Sequence, residues 1–271
     1  MLRSIVAVTL FSAVMACPQH ADSPEDHMKR SEVASDWVYD TSYNWGKISE
    51  TYDLCQIGTQ QSPIGLITAT GLATGVHKPT FSYPRALKGQ LYNWGYGPAF
   101  IPTSVNITSN PSMTYDGQTL YLKGWHIHAP SDHLIDQVRS KAEIHLVHAS
   151  ADGKEKAVVG IMLDALTHGS KVANSSFFDS VQLFKTPSVR DKSTMVPSKI
   201  DIKRLITEAG SVSKYWTYEG SLTSPPCRQG IRWFVAGSKV LLGADQMMDL
   251  LRVSAYSARS EQQVWEQNIN V

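Results

Sequence analysis

Five of the chain's nine histidines fall between Leu120 and Ser150, at positions 126, 128, 133, 145 and 148. Trp125-His126-Ile127-His128 and Glu143-Ile144-His145-Leu146-Val147-His148 both alternate in the manner of strands. Residues i and i+2 of a strand leave the same face, so His126 and His128 point together, as do Glu143, His145 and Val147. Two such strands side by side would bring three imidazoles to one point. Zinc suits that point: it accepts neutral imidazole nitrogen, and three protein ligands leave a fourth tetrahedral position for water, the arrangement of a catalytic site. A single strand histidine is most simply a hydrogen-bonded core group. An H-x-H pair, a third histidine on a second strand and a carboxylate on that strand's own face favour a metal instead. His148 faces the other way and belongs in the core. His133 follows Pro130-Ser131-Asp132 in a turn, and could be a ligand only if that turn folded back.

The elements that must position these groups are mostly strands. Runs at Tyr121–His128, Ala142–Ala149, Ala157–Leu163 and Ile231–Ala236 are separated by Gly, Pro, Asn and Asp, which mark turns. Helical patterns are few: Ser175–Leu183, Ile200–Glu208 entered after Pro197, and Gly243–Val253. Nothing alternates as βαβ, so one β-rich domain with helices at its margins is expected.

Met1–Ala16 carries Arg3, a mainly apolar run from Ile5 and Val14-Met15-Ala16, the pattern of a secretory signal peptide cut after a small residue. Residues 17–30 are polar and end in Lys29-Arg30, a short pro-segment or tail, leaving 31–271 as one large domain. Val-Met-Ala-Cys is a poor lipidation signal at Cys17, and the polar C-terminus is no lipid-anchor tail. No later segment approaches about 18 uninterrupted apolar residues. A net charge of +1 without a basic run argues against nucleic acid or anionic membrane as partner. Export leaves Cys55 and Cys227 as a pair in an oxidising compartment; Cys227 as a metal thiolate lacks a C-x-x-C partner. Asn106-Ile107-Thr108 and Asn174-Ser175-Ser176 are glycosylation sequons. H-E-x-x-H, the P-loop, G-x-S-x-G, the dinucleotide glycine fingerprint and the deaminase zinc pattern are all absent.

Tyr218-Glu219-Gly220-Ser221-Leu222-Thr223-Ser224-Pro225-Pro226-Cys227 joins Gln61-Ser62-Pro63-Ile64, His126-Ile127-His128 and Ala142 to His148 in a set that closely resembles the alpha-class carbonic anhydrases. The resemblance runs from Trp37 to about Arg259, and Asn93-Trp94-Gly95-Tyr96-Gly97-Pro98 is similar to secreted fungal members. It implies a β-dominated α+β domain around a large, mostly antiparallel twisted sheet with peripheral helices, and a Cys55–Cys227 disulfide. It implies a secreted zinc lyase that hydrates CO2 reversibly to bicarbonate and a proton through zinc-bound hydroxide. His126, His128 and His145 fall on the three metal ligands, and Glu143 on the carboxylate that accepts the third ligand's other N–H. Thr223 falls on the threonine that orients the hydroxide. Val147, Val158, Leu222, Ser224 and Trp233 fall on the pocket wall that receives CO2.

Three positions depart from the family's pattern. Asp132 stands where a glutamate usually takes the Thr223 proton, one methylene short. Gly124 replaces a glutamine that supports the first ligand. The proton-shuttle histidine is missing, and Tyr96 stands in its region; a phenol, with an unperturbed pKa near 10, is a poor relay at neutral pH. Asp132 and the missing shuttle admit a second reading, a non-catalytic zinc-stabilised binding domain on the same fold. The oligomeric state is not legible in the sequence.

Overall fold

A computed structural model describes residues 36–165, 174–188 and 194–271. The leader expected over 1–16 and the expected pro-segment or tail over 17–30, with Cys17 and Lys29-Arg30, lie outside them. Eight strands build the frame of the site: β1 (Leu87–Asn93), β2 (Pro98–Pro102), β3 (Gln118–His128), β4 (Ala142–Ala149), β5 (Glu155–Ala165), β6 (Met195–Ile200), β7 (Tyr215–Ser221) and β8 (Gln229–Ala236). They hydrogen-bond in the order β6-β1-β2-β3-β4-β5-β8-β7 within an 11-stranded sheet, completed by short strands at Thr80–Ser82, Ser112–Tyr115 and Val240–Leu242. The sheet is mostly antiparallel; β8 and Val240–Leu242 run parallel to β5. A separate parallel pair joins Gly65–Leu66 to Leu134–Ile135.

All eight residues of β4 are buried, which requires cover on both faces of the sheet. Ile144 and Leu146 enter a large apolar cluster with Trp125, Ile127, Phe177, Phe178, Leu205 and Leu250. The intervening residues of β4, Glu143, His145 and Val147, leave the opposite face, where Val147 meets Val158, Leu222 and Trp233. Each apolar side chain so buried contributes about 1.5–3 kcal/mol. That surplus lets the central strands keep polar residues on one face.

The helices are marginal, as the pattern suggested, with two changes. Ser175–Leu183 is a helix only over Ser176–Val181; Gln182 turns left-handed at φ 58°, and a 3₁₀ turn follows over Leu183–Lys185. Pro197 does not introduce the second helix. It lies in β6, opposite Gln90, and β6 closes the strand order, the edge position to which proline in a sheet is confined. The helix Ile202–Glu208 instead starts from Asp201, whose carboxylate accepts the Arg204 N–H at 3.0 Å. The third helix, Ala244–Arg252, matches its pattern. Among the described residues no helix is long and apolar enough to cross a membrane.

A 3₁₀ segment, Tyr39–Lys47, seats Trp37, Tyr39 and Trp45 against Tyr92, Trp94 and the Cys55–Cys227 disulfide. Sequence periodicity did not reveal this segment, because its register is set by aromatic packing and not by an amphipathic repeat.

Candidate metal centre

Register decides which histidines meet. Across the β3·β4 ladder His126 stands opposite His145, and His128 opposite Glu143. Directly opposed residues share a face, so three imidazoles and one carboxylate crowd a single patch. A bulge lies between Leu122 and Gly124, two residues before His126. One more or one fewer residue there would turn the histidines to the other face.

The three rings converge. Their centroids are 4.9 Å apart for His126 and His128, 5.3 Å for His126 and His145, and 4.6 Å for His128 and His145. The Nε2 atoms of His126 and His128 are 3.0 Å apart, and one nitrogen from each of the three rings lies within 4.8 Å of the others. All three residues are buried, at 2%, 0% and 1% exposure.

Neighbouring groups set the tautomers of two of them. His128 Nδ1–H donates to the Ser257 carbonyl at 2.6 Å, which leaves Nε2 with its lone pair. His145 Nε2–H donates to Glu143 Oε1 at 2.9 Å, which leaves Nδ1 with its lone pair. Burial lowers the pKa of His128 from its ordinary value, so the ring is neutral at pH 7, the form a cation needs. Burial alone would raise the Glu143 carboxyl, but His133 and His145, hydrogen-bonded to it, hold it well below the usual carboxylate range. It accepts His133 N–H at 2.8 Å, His133 Nδ1–H at 2.8 Å and His145 Nε2–H at 2.9 Å, enough donors to keep it ionised.

His133 therefore has a place that the sequence left open. Its turn does fold back, but its Nδ1 donates to Glu143, and its Nε2 lies 2.7 Å from Tyr218 Oη. Tyr218 Oη is in turn 2.8 Å from Ser62 Oγ. His133, Glu143 and His145 also form a cluster with metal-ligating atoms. There, however, the carboxylate and two ring nitrogens are already hydrogen-bonded to one another. His148 is in the core on the opposite face, its Nε2 2.5 Å from Tyr83 Oη.

Val147, Val158, Leu222 and Trp233 share one apolar cluster, and the Trp233 ring lies 4.9 Å from that of His145. Thr223 and Ser224 are buried beside it at 2% and 0% exposure. Asp132 is fully buried; its Oδ1 accepts the Arg259 N–H at 2.7 Å, and its Oδ2 lies 3.6 Å from His128 Nδ1. Among the described residues Asp132 Oδ2 has no hydrogen-bond partner, so Thr223 is not bonded to it. Tyr96 stacks on Trp37 at 6.2 Å and meets Tyr39 and Trp94 at 4.9 and 5.1 Å. Trp94 stands between it and the histidines, 5.2 Å from His126 and 5.3 Å from His128. Asn106 and Asn174 are exposed.

Three contributors escaped the sequence reading. Arg259, fully buried, donates to the carbonyls of Ser62 and Cys55 at 2.6 and 3.1 Å, while its own backbone N–H anchors Asp132. Burial lowers its pKa to about 10, and it remains charged. Ser257 acts through its carbonyl, which no side-chain pattern encodes. Gly160, opposite His145, leaves room for Glu143: a Cβ there would come within 2.7 Å of Glu143 Oε1. An isolated glycine inside the buried run Val158-Val159-Gly160-Ile161 was the available signal for a close approach.

Comparison with known proteins agrees with this geometry. Residues 40–270 match the model of the eukaryotic-type carbonic anhydrase family. A carbonic anhydrase from Pectobacterium atrosepticum is 31% identical over 223 residues, covering 80% of this chain and 84% of its own. Among solved structures, the alpha-carbonic anhydrase of Thermovibrio ammonificans in complex with the inhibitor sulfanilamide aligns with a TM-score of 0.73 at 25% identity, over 88% of this chain and 99% of that one. A fungal alpha carbonic anhydrase from Aspergillus oryzae aligns with a TM-score of 0.70 at 27% identity, over 84% and 92%. With a family match over nearly all the described residues and the same fold around the histidine cluster, the chain belongs to the alpha-class, eukaryotic-type carbonic anhydrases.

Proposed function

We propose that the chain catalyses reversible hydration of CO2 to bicarbonate and a proton, with zinc held by His126, His128 and His145. The observation that carries this reading is the convergence of three buried imidazoles, two of them fixed by Ser257 and Glu143 so that a lone pair faces the common point. An all-nitrogen, uncharged, buried donor set fits zinc. When bound there, zinc supplies Lewis acidity that brings the ionisation of water near pH 7, an effect for which carbonic anhydrase is the standard instance.

The chain's own residues supply the rest. Val147, Val158, Leu222 and Trp233 offer an apolar wall to a substrate with no dipole, with Ser224 behind the threonine. Thr223 orients the attacking oxygen by accepting its proton in a hydrogen bond, and Asp132 Oδ2 is the acceptor still open to the Thr223 hydroxyl. Because aspartate is one methylene shorter than glutamate, that bond runs through a small loop shift or a bridging water. Glu143 keeps His145 in the tautomer that presents Nδ1. Tyr96, held in its aromatic cage, does not carry the proton out at neutral pH, and soluble buffer takes that part.

The leader over 1–16, the Cys55–Cys227 disulfide and the exposed sequons Asn106 and Asn174 support secretion as a disulfide-bonded glycoprotein. Stopped-flow CO2 hydration with and without a zinc chelator and a sulfonamide tests the proposal. Activity that both reagents abolish is expected. A zinc-loaded protein with no sulfonamide-sensitive hydration would leave the non-catalytic binding domain as the reading.

A further inference from the structure

We propose that a groove lined by none of the histidines binds a neutral saccharide. The groove, about 510 Å³, lies between the 3₁₀ segment Tyr39–Lys47, the turn after Cys55 and the C-terminal stretch Ser260–Trp265. Its size is that of a small-ligand site.

Its lining has an unusual composition. Trp265, Ile57 and Tyr43 are among the most exposed large apolar residues described, at 72%, 73% and 62%, and all three border this one groove. Scattered surface hydrophobics need no explanation, but three gathered at one concavity mark a binding face. The same lining includes the polar residues Gln56, Gln263 and Glu261. None of the described residues that line the groove is lysine or arginine, which disfavours phosphate, sulfate and uronate ligands.

Aromatic faces carry negative charge density and attract the weakly positive C–H groups on the flat side of a pyranose ring. Planar amides and carboxylates pair with adjacent hydroxyls. A neutral sugar presents both features, whereas an apolar protein surface would leave the amides and carboxylate desolvated and unmatched.

The walls are also rigid. Ser42 Oγ accepts the Ser260 N–H at 2.9 Å and lies 3.0 Å from Ser260 Oγ, joining the two sides. Trp265 N–H donates to Gln267 Oε1 at 2.6 Å, and the next residue, Glu266, donates its N–H to Thr59 O. Gln267 is fully buried and donates to Gln61 O and Gln263 O at 3.1 and 3.0 Å. An exposed tryptophan on a backbone fixed this firmly is preorganised for a ligand, so little ordering entropy opposes binding.

The test titrates cellotriose, triacetylchitotriose and tetramethylammonium into the purified protein to about 10 mM, a range that captures millimolar affinities, followed by NMR and tryptophan fluorescence. Saturable binding of either trisaccharide is expected, with shifts confined to residues 42–43, 56–59 and 260–265. Trp265→Ala and Gln56→Ala should each weaken it about tenfold or more, with CO2 hydration unchanged. Both side chains are exposed, so neither substitution threatens folding. No saturable response to either trisaccharide overturns the proposal. So does preference for tetramethylammonium, which would make the groove a cation site built on Glu261 and the rings. A dimer seen by light scattering that Trp265→Ala dissolves also overturns it, since the face would then serve self-association.

Discussion

Replacing Gly160 by alanine should weaken metal binding without touching a ligand. The new Cβ would sit 2.7 Å from Glu143 Oε1 and 3.5 Å from Trp233 Cζ3. The tryptophan contact is ordinary, but the oxygen must retreat by about half an ångström or more to reach van der Waals separation. Glu143 Oε1 is not free to move, because it accepts His133 Nδ1–H at 2.8 Å and His145 Nε2–H at 2.9 Å. A shift of that size stretches at least one of these to about 3.4 Å, beyond good geometry. A hydrogen bond to a charged group contributes about 1.5–3 kcal/mol, and alanine in place of glycine in a strand returns about 0.5–1 kcal/mol. The net loss is about 1–2 kcal/mol, a fall in Tm of about 2–8 °C for a domain of this size. Loosening the hold on His145 should lower zinc affinity about 10- to 100-fold. Chelator-competition titration and thermal unfolding read both effects. In a Glu143→Ala background the same substitution should cost far less, because the clash is gone and the two sites are in contact. Unchanged zinc affinity in Gly160→Ala, or full additivity in the double variant, would refute the argument that Glu143 holds His145 through that oxygen.

Three further outcomes are expected. Turnover at neutral pH should rise steeply with imidazole concentration, since Tyr96 is caged and a phenol does not relay protons there; stopped-flow rates indifferent to buffer would contradict this. Burial lowers the His148 pKa from 6.5 to about 3, so the unfolded chain binds a proton below pH 6.5 that the folded chain refuses. His148 thus leaves stability intact above pH 6.5 and erodes it as pH falls toward 3, by about 3 kcal/mol at pH 4.5. Urea unfolding of the wild type and His148→Leu at pH 7 and 4.5 should show the variant losing less; equal losses would remove His148 as the cause. Finally, the Cys55–Cys227 bond spans a sequence separation of 172, and the Cys55→Ser, Cys227→Ser double variant should be less stable by up to about 5 kcal/mol on the chain-entropy account. An unchanged unfolding midpoint would count against it.

Much of the site was readable from local pattern, because strand alternation converts spacing directly into direction. His126 and His128 could be put on one face of their strand, and Glu143, His145 and Val147 together on one face of theirs, with His148 turned away, from the twofold period alone. The four central strand runs and the third helix were legible for the same reason, and the motif set around Thr223 carried the family resemblance. The rest depended on contacts between residues distant in sequence. Which strands are neighbours, and the bulge before Gly124 that sets His126 against His145, follow from how the whole sheet closes. His133 could be placed only once its turn was seen to return to Glu143, and Ser257 and Arg259 act mainly through main-chain atoms more than 120 positions from their partners. Side-chain direction is a local property of the backbone and is written in the sequence; the company each side chain keeps is set by long-range packing, which only the tertiary structure decides.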